Sequence, residues 1–270
     1  MKVAAIQMIS NANVEENLAQ AEQLIEQAAT QGAQLIVLPE NFALMGEATE
    51  ILNIAESSEK GNLQQFLKNQ SLKNKIYLIG GSIPLFSENS NKVYSSCLVF
   101  DPNGKQIARY NKIHLFDVQI PEQNESYKES ATYEYGKEIV MCDTAFGKMG
   151  IGICYDLRFP ELFRAMKNIT MIAIPAAFTQ TTGEAHWEIL LKARAIENQI
   201  YIIAANQGGK HENGRETFGN SMIIDPWGKV LSRIEKGQGI VIADCDFNYL
   251  HNLRKNFPVL EHRHIYETAN

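Results

Sequence analysis

The chain has 270 residues, of which 45% are hydrophobic and 21% charged, the balance of a globular chain and not of a disordered, collagenous or coiled-coil one. A formal charge of −6 argues against a general nucleic-acid binder, and no apolar run reaches the ~20 residues a spanning helix needs. Four cysteines (Cys97, Cys142, Cys154 and Cys245) with no C-x-x-C pair are no disulfide framework, which favours a reducing, cytoplasmic setting.

In chain order, Val3–Met8 reads as a first strand, and the N-terminus turns polar at Gln7, too early for a secretory leader. A helix follows, with Val14, Leu18, Ala21, Ile25 and Ala28 on one stripe, Asn13 and Glu16 as its capping pair and Gly32 just past its end. Further short apolar runs are Leu35–Leu38, Ile76–Ile79, Cys97–Phe100, Met149–Cys154, Met171–Ile174, Ile200–Ala205, Met222–Ile224 and Ile240–Ala243. Several are apolar throughout, as strands covered on both faces are. A helix is expected from Pro160, burying Leu162, Phe163 and Met166. Another runs through Trp187, Leu190, Leu191 and Ala195, with Thr181 and Glu184 spaced as its capping box.

Strand and helix alternate, so the fold class is α/β, and no linker interrupts 1–270, so one domain is expected. Asp101-Pro-Asn-Gly-Lys105 and Asp225-Pro-Trp-Gly-Lys229 both read as hairpin turns between apolar runs. This echo is either the recurrence of a common turn or the mark of two similar halves packed sheet to sheet.

Cys154 is the most informative position. A buried strand stops at a thiol, turns through Tyr155, Asp156 and Arg158, and enters a helix at Pro160. Functional groups collect at such strand ends, where free amides lower a thiol's pKa and can donate to an oxyanion. A buried core cysteine is the bland alternative, which fits Cys97 and Cys245; Cys142 is left open. Glu40 ends the apolar run Leu35–Pro39, where desolvation should raise its pKa and suit it to act as a base; otherwise it is a solvated loop residue. Lys112 follows the first hairpin's return strand and is either an oxyanion-holding ammonium or a surface cation. Cys154 with His114 or His186 is a competing pair, although His186 beside Trp187 looks structural. The histidines share no ligand spacing with any cysteine, so no metal is expected, and Gly150-x-Gly152 is no dinucleotide fingerprint. Gly208-Gly209 and Asn213-Gly214 read as a loop at the rim of a site.

Leu38-Pro39-Glu40, Asn111-Lys112-Ile113-His114-Leu115 and Gly152 through Glu161 resemble, in order, the three signature segments of the nitrilase superfamily of carbon–nitrogen hydrolases. The resemblance runs from Val3 to about His262. It implies a four-layer αββα sandwich, a Glu40–Lys112–Cys154 triad, a second glutamate at Glu129, pocket neighbours Phe178 and Thr182, and a homodimer. Asp117–Pro121, Thr182–Glu188, Ala193–Glu197 and Ser221–Gly228 are most similar to the branch containing deaminated glutathione amidase and omega-amidase. Glu122, Glu184 and Asn220 depart from that branch's usual glycine, proline and histidine.

The expected reaction is thiol-dependent hydrolysis of a small carboxylate-bearing amide to acid plus ammonia through a thioester, without cofactor. Glu40 moves the protons, and Lys112 with the Tyr155 backbone N–H holds the oxyanion. Arg158 either holds a substrate carboxylate or forms a structural salt bridge with Asp156 or Glu161. The deaminated glutathione-like substrate stands first. The alternatives are an omega-amidase on small α-keto amides, a catalytically silent binding module and a papain-like cysteine–histidine enzyme.

Overall fold

The computed structural model describes residues 1–88, 91–120 and 125–264; Pro121 and Glu122 lie outside them. In the first sheet, β1 (Lys2–Gln7), β2 (Leu35–Val37) and β3 (Tyr77–Ile79) run parallel, joined by α1 (Val14–Thr30), then by α2 (Ala48–Asn53) and α3 (Asn62–Asn74). β4 (Ile83–Phe86), β5 (Val93–Phe100) and β6 (Gln106–Asn111) extend it antiparallel. A separate hairpin, β7 (Asp117–Ile120) with β8 (Glu125–Lys128), leads out of this half.

The second sheet is built in the same way. β10 (Gly147–Ile151), β11 (Ile169–Ala176) and β12 (Tyr201–Asn206) form its parallel centre, flanked by β9 (Met141–Thr144) and by β13 (Ser221–Ile224) with β14 (Val230–Ile234). α4 (Pro160–Ala165) and α5 (Gln180–Asn198) make the connections, and β15 (Gly239–Asp244) returns to pair with β1 before α6 (Phe247–Asn256). Both hairpin turns carry the same bonds. The N–H groups of Asn103 and Lys105 donate to Asp101 Oδ1, and those of Trp227 and Lys229 donate to Asp225 Oδ1, all at 2.9 Å. Gly104 and Gly228 sit at φ +74° and +86°.

The side-chain alternation explains the layers. Val3, Ala5, Leu35 and Val37 point into one core shared with Met149, Ile151, Ile203 and Ile223 of the second sheet. Their neighbours Ala4, Ile6, Ile36 and Leu38 point the other way, onto Ala21, Ile25 and Ala28 of α1 and Leu63 and Leu67 of α3. Both faces are dry, which is why these strands are apolar throughout. Trp187, Leu191 and Ala195 of α5, with Phe163 of α4, cover the far face of the second sheet. The result is an αββα sandwich. Among the described residues, no helix is long and apolar enough to cross a membrane.

Local rules hold at most helix ends. Asn13 caps α1 by accepting from the N–H groups of Glu15 and Glu16, and Gly32 follows its end at φ +90°. Pro160 opens α4. The cap of α5 is Thr179 and not Thr181: the Thr179 hydroxyl accepts from the Thr182 N–H at 3.2 Å. The run ending at Cys154 leaves the regular strand at Ile151, although the Gly152 N–H still donates to the Ala173 carbonyl of β11 at 3.2 Å and Ile153 stays extended.

Gly81 holds the corner that carries Glu40. It sits at φ +59°, and an added Cβ would lie 2.2 Å from the Pro39 carbonyl oxygen. Gly81→Ala is therefore expected to lower stability by about 2 kcal/mol or more, from left-handed strain plus the clash. A thermal melt checks this; an unshifted Tm would show that the corner relaxes freely.

Candidate active site

The three positions read from the sequence meet at one cleft. Glu40 follows β2 and is 4% exposed, its carbonyl fixed by the Gln207 side-chain amide at 3.0 Å. Lys112 follows β6, 1% exposed, its backbone N–H donating to the Ser95 carbonyl. A buried ammonium is costly unless its donors are used. Here Lys112 Nζ donates to Glu40 Oε1 at 2.8 Å and to Glu129 Oε1 and Oε2 at 2.8 and 2.9 Å. Glu129 stands in a 3-10 turn, Glu129–Ala131, directly after β8. Its Oε2 also accepts the Phe116 N–H, and Asp117 fixes the turn by accepting from the Ser130 N–H.

Cys154 opens a 3-10 turn, Cys154–Arg158, from a backbone at φ +50°. A β-carbon in that region strains the chain, so the turn must be held by its surroundings. Burial pushes the thiol well above its ordinary pKa; the Glu40 charge adds to that, the Lys112 charge opposes it, and the Ala177 backbone hydrogen-bonds the sulfur. Burial alone would lower the Lys112 pKa, but Glu129 and Glu40 overcome it and the ammonium is held well above the ordinary range. Burial raises Glu129 against the pull of Lys112. The thiol is thus protonated at neutral pH beside a carboxylate that accepts its hydrogen bond.

The clamp on this turn is Asp156, fully buried. Its Oδ2 accepts from Tyr110 Oη at 2.7 Å and from the Ile153 N–H at 2.9 Å. Its Oδ1 takes the His114 N–H at 3.1 Å and lies 2.7 Å from His114 Nδ1, while the His114 ring stacks on Phe159. His114 therefore serves the turn through Asp156, and the pairing with Cys154 considered for it is not formed. Nor does Arg158 form a salt bridge with Asp156 or Glu161. Its Nη1 lies 3.1 Å from His186 Nδ1, and its guanidinium lies over the rings of Tyr155 and Phe178.

The cleft has a volume of about 270 Å³ and includes Glu40, Lys112, Glu129, Cys154, Tyr155 and Arg158 in its lining. Phe178 and Thr182 line it as well. The Carbon-nitrogen hydrolase family model matches residues 2–255.

The chain belongs to the carbon–nitrogen hydrolase family.

This hydrolase is 43% identical over 269 residues to a deaminated glutathione amidase of Synechocystis, covering 96% of this chain and 97% of that protein. It is 38% identical to omega-amidase NIT2 of Danio rerio, covering 97% and 94% of the two. Its fold matches the crystal structure of Saccharomyces cerevisiae Nit3, a nitrilase-superfamily member, with a TM-score of 0.88 at 32% identity over 98% of this chain and 97% of that one.

Two residues of the hydrolase site escaped the sequence reading. In the sequence Asp156 stands only as a polar residue of the turn after Cys154 and a possible partner of Arg158, with nothing to show that Tyr110 and His114 surround it. Arg215 lies in the loop after Gly208-Gly209, read only as a rim, yet it lines the cleft together with Asn213.

Proposed function

We propose that this carbon–nitrogen hydrolase cleaves the amide of a small carboxylate-bearing substrate, with Cys154 as nucleophile, Glu40 as proton carrier and Lys112 as the oxyanion's cation. One observation carries the reading: Lys112 Nζ sits 2.8 Å from both Glu40 and Glu129, at a cleft that the Cys154 thiol also lines.

Sγ attacks the carbonyl carbon as the thiol proton passes to Glu40. The tetrahedral oxyanion is stabilised by Lys112 and the Tyr155 backbone N–H, each such donor being worth roughly 3 kcal/mol. The C–N bond breaks as Glu40 returns the proton to nitrogen, releasing ammonia from a primary amide or an amine from a secondary one. Water then attacks the thioester, its proton taken by Glu40, and the carboxylic acid leaves as the thiol is restored. Glu129 keeps Lys112 charged and aimed.

Arg158 is the proposed carboxylate holder. It is half-buried between two aromatic rings and, among the described residues, has no carboxylate in salt-bridge reach. Similarity to the Synechocystis deaminated glutathione amidase favours deaminated glutathione as the first candidate, and similarity to the Danio rerio omega-amidase keeps a small ω-amide as the second. Steady-state kinetics on deaminated glutathione and α-ketoglutaramate test this, with a higher kcat/KM expected on the first. The reverse order would select the omega-amidase reading, and no product from either would leave a silent binding module. The family resemblance also carries the expectation of a homodimer, and the cysteine usage that of a reducing, cytoplasmic setting.

A further inference from the structure

We infer that Arg215 holds a second substrate carboxylate, so that the preferred amides are those bearing a carboxylate on each side of the bond cleaved. This rests on the proposed reading, in which Arg158 takes the carboxylate of the acyl side.

Arg215 is presented to the cleft by a closed loop. The His211 N–H donates to the Arg215 carbonyl oxygen at 2.8 Å, while Asn213 Oδ1 accepts the Arg215 N–H at 3.1 Å. The His211 ring is buried, its nitrogens 2.7 Å from the Ser10 carbonyl and 2.8 Å from Thr217 Oγ1, which fixes the loop to both halves of the sandwich. The side chain is fixed in turn. Nη2 donates to the Ala177 carbonyl at 2.9 Å, and the guanidinium lies 5.5 Å over the Tyr127 ring. Ala177 also hydrogen-bonds the Cys154 sulfur through its backbone, so one residue joins the guanidinium to the proposed nucleophile.

What is left over points to a ligand. Arg215 Nε is buried and has no acceptor among the described residues. A buried donor without a partner is uncommon and costs stability. Of the carboxylates lining the cleft, Glu40 and Glu129 hold Lys112, and Glu47 stands at the N-cap of α2. No carboxylate among the described residues lies within salt-bridge reach of Arg215. A guanidinium fork with a free edge matches a substrate carboxylate. The two arginines rest on different aromatic residues, Arg158 on Tyr155 and Phe178, Arg215 on Tyr127. They therefore offer two separate anion seats.

The test crosses enzyme with substrate. kcat/KM is measured for wild type and Arg215→Met on deaminated glutathione and on the same molecule with its glycine carboxylate converted to carboxamide. In wild type, masking that carboxylate is expected to lower kcat/KM by roughly 10- to 100-fold, mainly through KM; in Arg215→Met the masking should cost almost nothing. Arg215→Lys, which keeps the charge but not the fork, should fall between them, and it answers the question alone if the methionine variant does not fold. Equal sensitivity to masking in wild type and variants overturns the assignment while leaving the amidase reading intact. Wild-type inactivity on both compounds and on α-ketoglutaramate overturns the two together.

Discussion

Cys154→Ala is expected to lower kcat by roughly 10⁵-fold or more, since it removes the proposed nucleophile and with it the covalent route. Acid release followed against time checks this, together with stoichiometric labelling of the thiol by an electrophile in wild type. Retained turnover in the alanine variant would end the thioester mechanism. The variant should also disclose the strain at this position. At φ +50° a side chain is disfavoured and glycine is not, so Cys154→Gly should be more stable than Cys154→Ala by about 1 kcal/mol. The pH dependence has a definite sign. The folded thiol holds its proton above the ordinary value of 9.0, so the native state binds more protons there than the unfolded chain. Its contribution is complete below that ordinary value and falls as pH rises toward the folded one. Wild type should therefore lose stability above pH 9 faster than Cys154→Ala, a comparison made by chemical denaturation at stepped pH.

Lys112→Met should damage both stability and catalysis. The ammonium is the buried partner of two carboxylates, and deleting it leaves Glu40 and Glu129 facing each other without a cation. Removing one member of such a buried set costs about 3–5 kcal/mol near neutral pH. Burial already raises Glu129, and loss of Lys112 removes the charge opposing that rise. A carboxyl with a raised folded pKa favours the native state as pH falls, so the stability gap from wild type should narrow in acid. The double variant Lys112→Met with Glu129→Gln should regain part of the stability and none of the activity. Loss of one oxyanion donor alone costs about 10²–10³ in kcat. An unchanged kcat in Lys112→Met would remove the lysine from the mechanism.

Much of this was legible because strand ends leave a strong trace. All nine apolar runs are strands, and Glu40, Lys112 and Cys154 follow three of the strands that make up the two sheets. The second hairpin turn, bonded like the first, marks the matching halves. Edge elements left weaker traces. β7, β8, β9 and β14 carry mixed polar residues whose pairing depends on neighbours far along the chain. α3 was missed because it is polar overall and buries only part of one side, Leu63 and Leu67 among it. The capping-box spacing of Thr181 and Glu184 points two residues too far along α5, because Thr179 caps it with its hydroxyl alone, accepting from the Thr182 N–H directly after the bend that follows β11. Asp156 and Arg215 were hidden for one reason: each acquires its meaning from partners that sequence distance conceals, Tyr110 and His114 for one, Ala177 and Tyr127 for the other.

The proposed acid, Glu40, and cation, Lys112, follow strands of the first sheet, the proposed nucleophile, Cys154, a strand of the second, and Gln207 from β12's end grips the glutamate's own carbonyl across the seam. Under the proposed mechanism neither half could perform the chemistry alone, however well it folded. Reactivity in that mechanism is a property of the joint, and a small slip of one layer over the other is expected to silence it long before the chain comes apart.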